Sequence, residues 1–463
     1  MKIKKISLDN FRCFEHLETT FEDNLTVFVA ANGQGKTTIL EAVKYLLGVF
    51  ISRFPKTSVP RIQDSDYRQE WYIKKSYNKE VLVARPRPPF MRLMAKAEFF
   101  SENQRNDYAS VEWDIIQKRD KSIQTQAELL PAIGTRQIYR LADQFIEHDN
   151  MQQPLMLPII AYYNTERAVI RNRPERRRGF RTDFPRYDAF AGTLDAGLNY
   201  KKIIEWFCYL EDEQRREKEI VRDWDYQSLE HRTIQLAVET MLPGFCNLRT
   251  TLRPLDLIVD VKEENKPEKS CRIDSQLSDG YKIVLVMVLD LVSRILEANA
   301  KIDSITPEKL LLSEGVVLID EIDLHLHPSW QQKIIGDLQR TFPNIQFIVT
   351  THSPQVVSSV PSECIRVIDE GTITPAKGSE GADSSRILDR IFGTKPYPEN
   401  NIQRKKLQEY LDLVYKQRKW SEPDVLKKRQ ELDAIYQGEE PLLDEADLFI
   451  ENEEWEKQNG EHS

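Results

Sequence analysis

The sequence is short of cysteine, and its few cysteines stand far apart. The 5 of them, Cys13, Cys208, Cys246, Cys271 and Cys364, form no CxxC pair. That excludes a disulfide frame or zinc ribbon and predicts a reduced, cytoplasmic chain with each cysteine as a small core residue. Long apolar runs are missing too. The most apolar helix-like run, "IVLVMVLDLV", is short and interrupted by Asp290, so it does not span a bilayer. The start, "MKIKKISLDNF", lacks the apolar core of a signal peptide. There is no excess of positive charge: the net charge is −9, with 30% charged residues. That balance argues against indiscriminate coating of nucleic acid and leaves room only for local basic patches. Internal repeats and long heptad runs are absent as well, which excludes a solenoid or a coiled-coil arm. At 463 residues the chain has room for two or three domains with ample core.

What is present begins with alternation. Residues 2 to 30 alternate apolar and polar, turn at Glu22-Asp23-Asn24, and end in a buried strand over Val27–Ala30. After "ANGQGKTT" comes "ILEAVKYLLG", where Ile39, Leu40, Val43, Leu46 and Leu47 keep helical spacing and Gly48 suits the position just past a helix end. Residues 50 to 160 are mixed, 161 to 190 are dense in arginine, and 193 to 243 are helical in pattern. Strands return at 247 to 261. An apolar helix follows from Ser278, then a strand at 316, a helix "PSWQQKIIGDLQRTF", and a strand "IQFIVTTH". Strand, helix, strand in that order is a parallel unit. The end reads as two helices broken near Pro423 and an acidic tail. The predicted division is 1–160, 161–270, 271–395, a helical hairpin at 396–438 and the tail at 439–463.

Three stretches carry chemistry. "GQGKTT", between a buried strand and a helix, is the context of a phosphate loop, whose amides and helix dipole hold phosphate. Asn32, Gly33, Gly35, Lys36, Thr37 and Thr38 are its candidate nucleotide contacts, with Lys36 on the β and γ phosphates and Thr37 on Mg²⁺. The pattern opens with Ala30 where glycine is usual. In "VVLIDEIDLHLHPSW" the continuous apolar run predicts a parallel strand covered on both faces. Asp320 at its carboxyl end would hold Mg²⁺, and Glu321 would orient the attacking water. A zinc site through His325 and His327 is the alternative, and the leading "VVLIDE" favours magnesium. "LSDGY" offers Ser278 and Asp279 as helix caps and Gly280 for close approach, an anion site at a helix start.

"NFRCF", "ANGQGKTT", "LSDGY", "VVLIDEIDLHLHP" and "TTHSP", in this order, resemble the ABC-type ATPases of the SMC, RecF and OLD branch. The resemblance implies an α/β phosphate-loop ATPase head with a mixed and helical insertion and a helical C-terminal extension. In it two heads would sandwich two ATP molecules. Ser278 to Gly280 would then touch the γ-phosphate bound by the other protomer, Asp323 to His327 would communicate between heads, and His352 would be the catalytic switch beside Glu321. Arg12 would lie near the nucleotide. Gln63 and the "YYNTER" turn are both candidates for the glutamine loop. Without heptads between loop and signature, the chain is unlike an SMC arm. After His352 it lacks the separated Glu and DxD of a Toprim nuclease, so no nuclease centre is expected here.

Two segments are left over. Arg167, Arg171, Arg173, Arg176, Arg177, Arg178, Arg181 and Arg186 crowd one stretch. They suit nucleic-acid phosphate, a partner's acidic surface, or the protein's own acids. The tail sets Leu448, Phe449, Ile450 and Trp455 among carboxylates, a partner-docking segment or one that packs on its own chain. "YYNTER", "GADSSRILDRIFG" and the motif-bearing region also resemble stand-alone bacterial ATPases that include those of Septu-type antiphage systems. That resemblance implies a homo-oligomer whose nucleotide state gates a separate HNH nuclease subunit, with no membrane partner. A RecF-like repair ATPase without a nuclease is the second reading. A transporter motor fits poorly, because the long insertion replaces the short helical subdomain such motors use.

Overall fold

The computed structural model describes residues 1–76, 79–85, 87–100, 108–119, 132–168, 180–181, 183–195, 197–253, 255–262, 267–395 and 401–460. The chain divides into two units, Met1–Ile387 and Leu388–Ser463. No helix among the described residues is long and apolar enough to cross a membrane.

The first unit is built on a six-stranded sheet. In spatial order its strands are Thr372–Pro375, Ile365–Asp369, Leu25–Val29, Ile345–Thr351, Gly315–Ile319 and Ile159–Tyr163. Neighbours run parallel except at the edge strand Thr372–Pro375. Leu25–Val29, Ile159–Tyr163, Gly315–Ile319 and Ile345–Thr351 are buried at every residue. A strand covered on both faces has no solvent side, so these sequences are mostly apolar without alternation, and the few polar residues in them, Thr26, Gln346, Thr350 and Thr351, are buried too. The helix Lys36–Ile51 packs on the strand Ile345–Thr351, and the helix Asp279–Asn299 packs on Ile159–Tyr163. The latter helix is buried from Ile283 to Asn299, as its apolar residues on all sides require.

Register matters most for the site. Val29 lies opposite Thr351, and Ile319 lies opposite both Val349 and Tyr163. Four strands therefore finish at one edge, where the chain continues into Ala30, Asn164, Asp320 and His352. A separate antiparallel sheet orders its strands Phe14–Thr20, Lys2–Phe11, Phe90–Phe100 and Tyr108–Lys118. Its turn at Arg12 hangs beside the helix that follows the phosphate loop, bonded to Asp66 and Glu41.

Three expectations change. Gly48 does not end its helix, which runs on to Ile51. Gly48 is not among the glycines with positive φ, so it takes no left-handed cap and the helix continues through it. The helix expected after Pro328 is two pieces, Pro328–Gln331 and Ile334–Thr341. The Gln331 amide turns back to the Leu326 carbonyl at 2.9 Å, and Trp330 leaves the buried row of Ile334, Leu338 and Phe342 to pack edge-on against Tyr281.

The third change is the C-terminal segment. It is the helix Pro441–Gly460, packed with Ile402–Tyr415 and Pro423–Tyr436 around Leu407, Tyr410, Val414, Val425, Leu432, Leu443 and Ala446. Phe449 and Ile450 lie against that core, and Phe449 meets Tyr415 at 4.8 Å. Three of the carboxylates around these apolar residues are already paired within the unit. Asp447 takes Arg429 at 2.8 Å, Glu453 takes Arg418 at 2.7 Å, and Glu454 accepts from the Trp420 indole. Apolar positions at helical spacing found a core in their own chain, so the segment is not a free tail. Leu448 and Trp455 remain exposed.

Candidate functional site

The phosphate loop leaves the strand Leu25–Val29 and enters its helix through two left-handed glycines. Gly33 has φ +83° and Gly35 φ +97°. A Cβ on Gly35 would lie 2.5 Å from the Phe14 ring and 2.7 Å from the Cys13 sulfur, so no larger residue fits. Ala30 is not among the residues with positive φ. The missing glycine therefore costs the loop nothing in backbone conformation. Asn32, Gly33 and Thr37 face solvent, whereas Lys36 and Thr38 are buried. The Lys36 ammonium donates to the carbonyls of Ala30 and Ala31 at 2.9 and 3.4 Å. Burial pushes its pKa down, against the pull of Asp320, Glu321 and Asp323.

The acids come in from the neighbouring strand. The Thr37 hydroxyl donates to Asp320 Oδ2 at 2.9 Å, joining residues 283 apart in sequence. Asp320 Oδ1 accepts from the Thr350 hydroxyl at 2.6 Å. Glu321, only partly buried, sits in the left-handed region at φ +49°. Asp323 accepts from the Thr351 hydroxyl at 2.6 Å and from the His352 amide at 3.3 Å. Burial lowers the His352 pKa, and the Lys36 charge lowers it further, against Asp323, Glu321 and Asp320. Lys36, Thr37, Asp320, Glu321, Asp323 and His352 meet at one sheet edge.

Ser278 and Gly280 are not part of that meeting. They line an open cleft of 730 Å³ with Tyr281, His325, His327 and Trp330. Ser278 is the exposed N-cap of the helix Asp279–Asn299, but its hydroxyl makes no capping bond. Gly280 lets the helix start close on the turn, since a Cβ would lie 3.1 Å from the His325 carbonyl. His327 Nδ1 lies 2.9 Å from the Ser329 hydroxyl and serves as the cap of the short helix after it. No group of three or more His, Cys, Asp or Glu that could hold a metal occurs among the described residues.

Arg12 bonds Asp66 at 2.9 Å and Glu41 at 3.3 Å, so its guanidinium is tied to acids next to the loop helix. Gln63 belongs to the same knot, with its amide on Asp66 at 2.9 Å. The "YYNTER" turn instead follows the strand beside the acids. Its Arg167 reaches the backbone of Asp320 and Glu321, a role that composition hid within the arginine cluster. Thr350 was missed as well. The available signal was position: each comes at or just after the carboxyl end of a buried parallel strand. Of the other arginines, Arg181 pairs with Asp188 and Arg186 is buried on Asp149 and the Ala298 carbonyl. Arg171, Arg173, Arg176, Arg177 and Arg178 lie outside the described residues.

The sequence matches the model of the family described as "AAA domain" over residues 5–238. A second model, "AAA domain, putative AbiEii toxin, Type IV TA system", matches residues 215–358. The chain is 29% identical over 517 aligned residues to the "Retron Ec83 probable ATPase" of Escherichia coli, covering 98% of this chain and 88% of that one. It is 42% identical over 126 residues to the "Septu protein PtuA" of Bacillus thuringiensis, covering 25% of this chain and 31% of that protein. To the "DNA replication and repair protein RecF" of Lactococcus lactis subsp. lactis (strain IL1403) it is 36% identical over 112 residues, covering 23% of this chain and 30% of that protein. With the first model spanning half of its 463 residues, the chain belongs to the AAA domain family, and about a quarter of it is similar to Septu PtuA.

Proposed function

We propose that this chain is the ATP-hydrolysing subunit of an antiphage defence assembly whose nucleotide state controls a separate HNH-type nuclease subunit. The observation that carries the ATPase chemistry is the Thr37 hydroxyl on the Asp320 carboxylate at 2.9 Å, beside Lys36 and Glu321. A hydroxyl and a carboxylate are hard oxygen donors. They fit Mg²⁺, which takes few protein ligands and completes its shell with phosphate and water. Thr37 and Asp320 would hold it, and bound there it would neutralise charge on the phosphate oxygens.

The remaining work falls to this chain's own groups. Asn32, Gly33, Gly35 and Thr38 would cradle phosphate, Lys36 would meet the β and γ phosphates, and Arg12 would stand near the nucleotide. Water oxygen bonds to the γ-phosphorus while the bond to the β,γ-bridging oxygen breaks. Glu321 orients that water and takes its proton, and the His352 imidazole N–H donates to a γ-phosphate oxygen. Ser278 and Gly280 would complete the site of a second protomer. The solvent exposure of Ser278 and the absence of a capping bond from its hydroxyl support a head-to-head dimer.

Defence is favoured over repair by extent of similarity. The likeness to the retron ATPase runs through nearly all of this chain, and the likeness to RecF through about a quarter. The test is phage plating on cells that carry the chain with its neighbouring genes. Plating should fall, and Lys36→Ala or Glu321→Gln should restore it. A repair ATPase would change survival after DNA damage and leave plating alone.

A further inference from the structure

We infer that Arg167 and Thr350 are positioning residues that clamp the backbone of Glu321, and so aim its carboxylate; this rests on the proposed role of Glu321 in hydrolysis. Glu321 follows the strand Gly315–Ile319 by two residues and holds φ +49°. A residue with a side chain rarely adopts that conformation, and persists in it only where its surroundings fix the backbone.

Both sides of the residue are held. The Thr350 hydroxyl, wholly buried, accepts from the Glu321 amide at 2.7 Å and donates to Asp320 Oδ1 at 2.6 Å. Arg167, 2% exposed, donates to the carbonyls of Glu321 at 2.5 Å, of Asp320, and of Asn164 at 2.9 Å. The next amide, of Ile322, donates to the Thr350 carbonyl at 2.9 Å, and the Asp320 amide donates to the Tyr163 carbonyl at 2.8 Å. Every peptide group from Asp320 to Ile322 therefore has a fixed partner on a flanking parallel strand or on the turn after it.

Arg167 makes these bonds at a cost. Burying a guanidinium is expensive, and burial pushes its pKa down to about 10, against the pull of Asp320, Asp323 and Glu321. It stays a cation at neutral pH. Its acceptors here are main-chain oxygens of two turns, which a planar fork of donors can span and an ammonium cannot. With the backbone fixed, the Glu321 carboxylate moves only on its side-chain torsions. A general base misplaced by about an ångström loses on the order of 10²-fold in rate.

The full-length chain gives the test. Arg167→Lys and Thr350→Val should lower kcat for ATP by about 10- to 100-fold. The equilibrium affinity for ATP without Mg²⁺ should stay within about twofold, because Arg167 and Thr350 bond Glu321 and Asp320 and not the phosphate loop. Thr350→Ser, which keeps the hydroxyl, should recover most of the loss. In a Glu321→Gln background neither variant should reduce the residual rate further. Without nucleotide, deuterium exchange across 320–324 should quicken in both variants. Equal losses in both backgrounds, unchanged kcat in a folded variant, or unchanged exchange would overturn the clamp. If Arg167→Lys does not fold, Thr350→Val and Thr350→Ser decide alone. A Glu321→Gln chain that still hydrolyses ATP would overturn the role of Glu321 itself, and exchange would still report whether the backbone is clamped.

Discussion

Asp290 interrupts the long buried helix Asp279–Asn299, and removing it should cost more than its single charge suggests. It is 3% exposed and Arg294, one turn on, is 6% exposed. Arg294 Nε donates to Asp290 Oδ2 at 2.8 Å, and the Tyr163 hydroxyl donates to the same oxygen at 2.8 Å. Asp290→Ala would strand a buried guanidinium and a buried phenol together. Breaking one side of a buried ion pair costs about 3–5 kcal/mol. Arg294 keeps the Ala189 carbonyl at 2.9 Å, so the lower half of that range is expected. Replacing both charges, Asp290→Leu with Arg294→Met, should recover most of it, since apolar residues of similar volume often replace such a pair without loss. Urea unfolding followed by tryptophan fluorescence measures all three proteins. The pH dependence has a definite sign. Burial raises the Asp290 pKa, but Arg294, Lys202 and Tyr163 outweigh it and hold the carboxyl below its ordinary value. Stability from the pair is thus complete above the unfolded pKa of about 4 and fades as the pH falls through the lower folded value. The gap between wild type and Asp290→Ala should be flat from about pH 5 to 8 and close below about pH 4. A single-mutant loss under about 1 kcal/mol, or a gap that widens in acid, would refute the account.

Gly35→Ala and Gly33→Ala separate steric from backbone demands in the loop. Both glycines have positive φ, but only at Gly35 would the new methyl strike Phe14 and Cys13. Gly35→Ala should abolish ATP binding in a fluorescent-nucleotide titration, whereas Gly33→Ala should cost only about 1 kcal/mol of backbone strain; equal effects would contradict the geometry. Protomers bearing Ser278→Arg, mixed with protomers bearing Lys36→Ala, should recover about one working site per dimer if sites are shared. Failure to recover any ATPase activity from folded mixtures would point to self-contained sites. Ending the chain after Gly438 removes the buried Leu443 and Ala446 and should unfold the helical unit, seen as lost helical circular dichroism. Leu448→Asp with Trp455→Asp should keep the fold and abolish co-purification of the nuclease subunit; full recovery of the partner would move its docking site elsewhere.

The legible parts of this chain are those where chemistry is local. A glycine-rich loop must follow a strand and open a helix, so "ANGQGKTT" announced both. A strand buried on two faces is mostly apolar without alternation, so "VVLID" announced a parallel sheet and the acids at its end. The pairing of Thr37 with Asp320 follows once both are placed at the carboxyl edges of sheet strands. What stayed hidden is the support. Arg167 stands amid arginines whose count suggested a surface, yet its neighbours in space are carbonyls 153 and 154 residues away. Thr350 looks like any β-former in a buried strand. Neither composition nor spacing reports a hydroxyl that bridges an amide and a carboxylate. The acidic end of the chain misled in the opposite direction. Its carboxylates suggested solvent, although Leu443, Ala446, Phe449 and Ile450 recur at the 3–4 residue spacing of a buried helix face. Charge on one side of a helix says nothing against a core on the other. The cations that pair with it, Arg418 and Arg429, were already present in the preceding hairpin. Among the described residues of this helix, Leu448 and Trp455 are the exposed large apolar side chains, so any docking on it must use the face its own core leaves free.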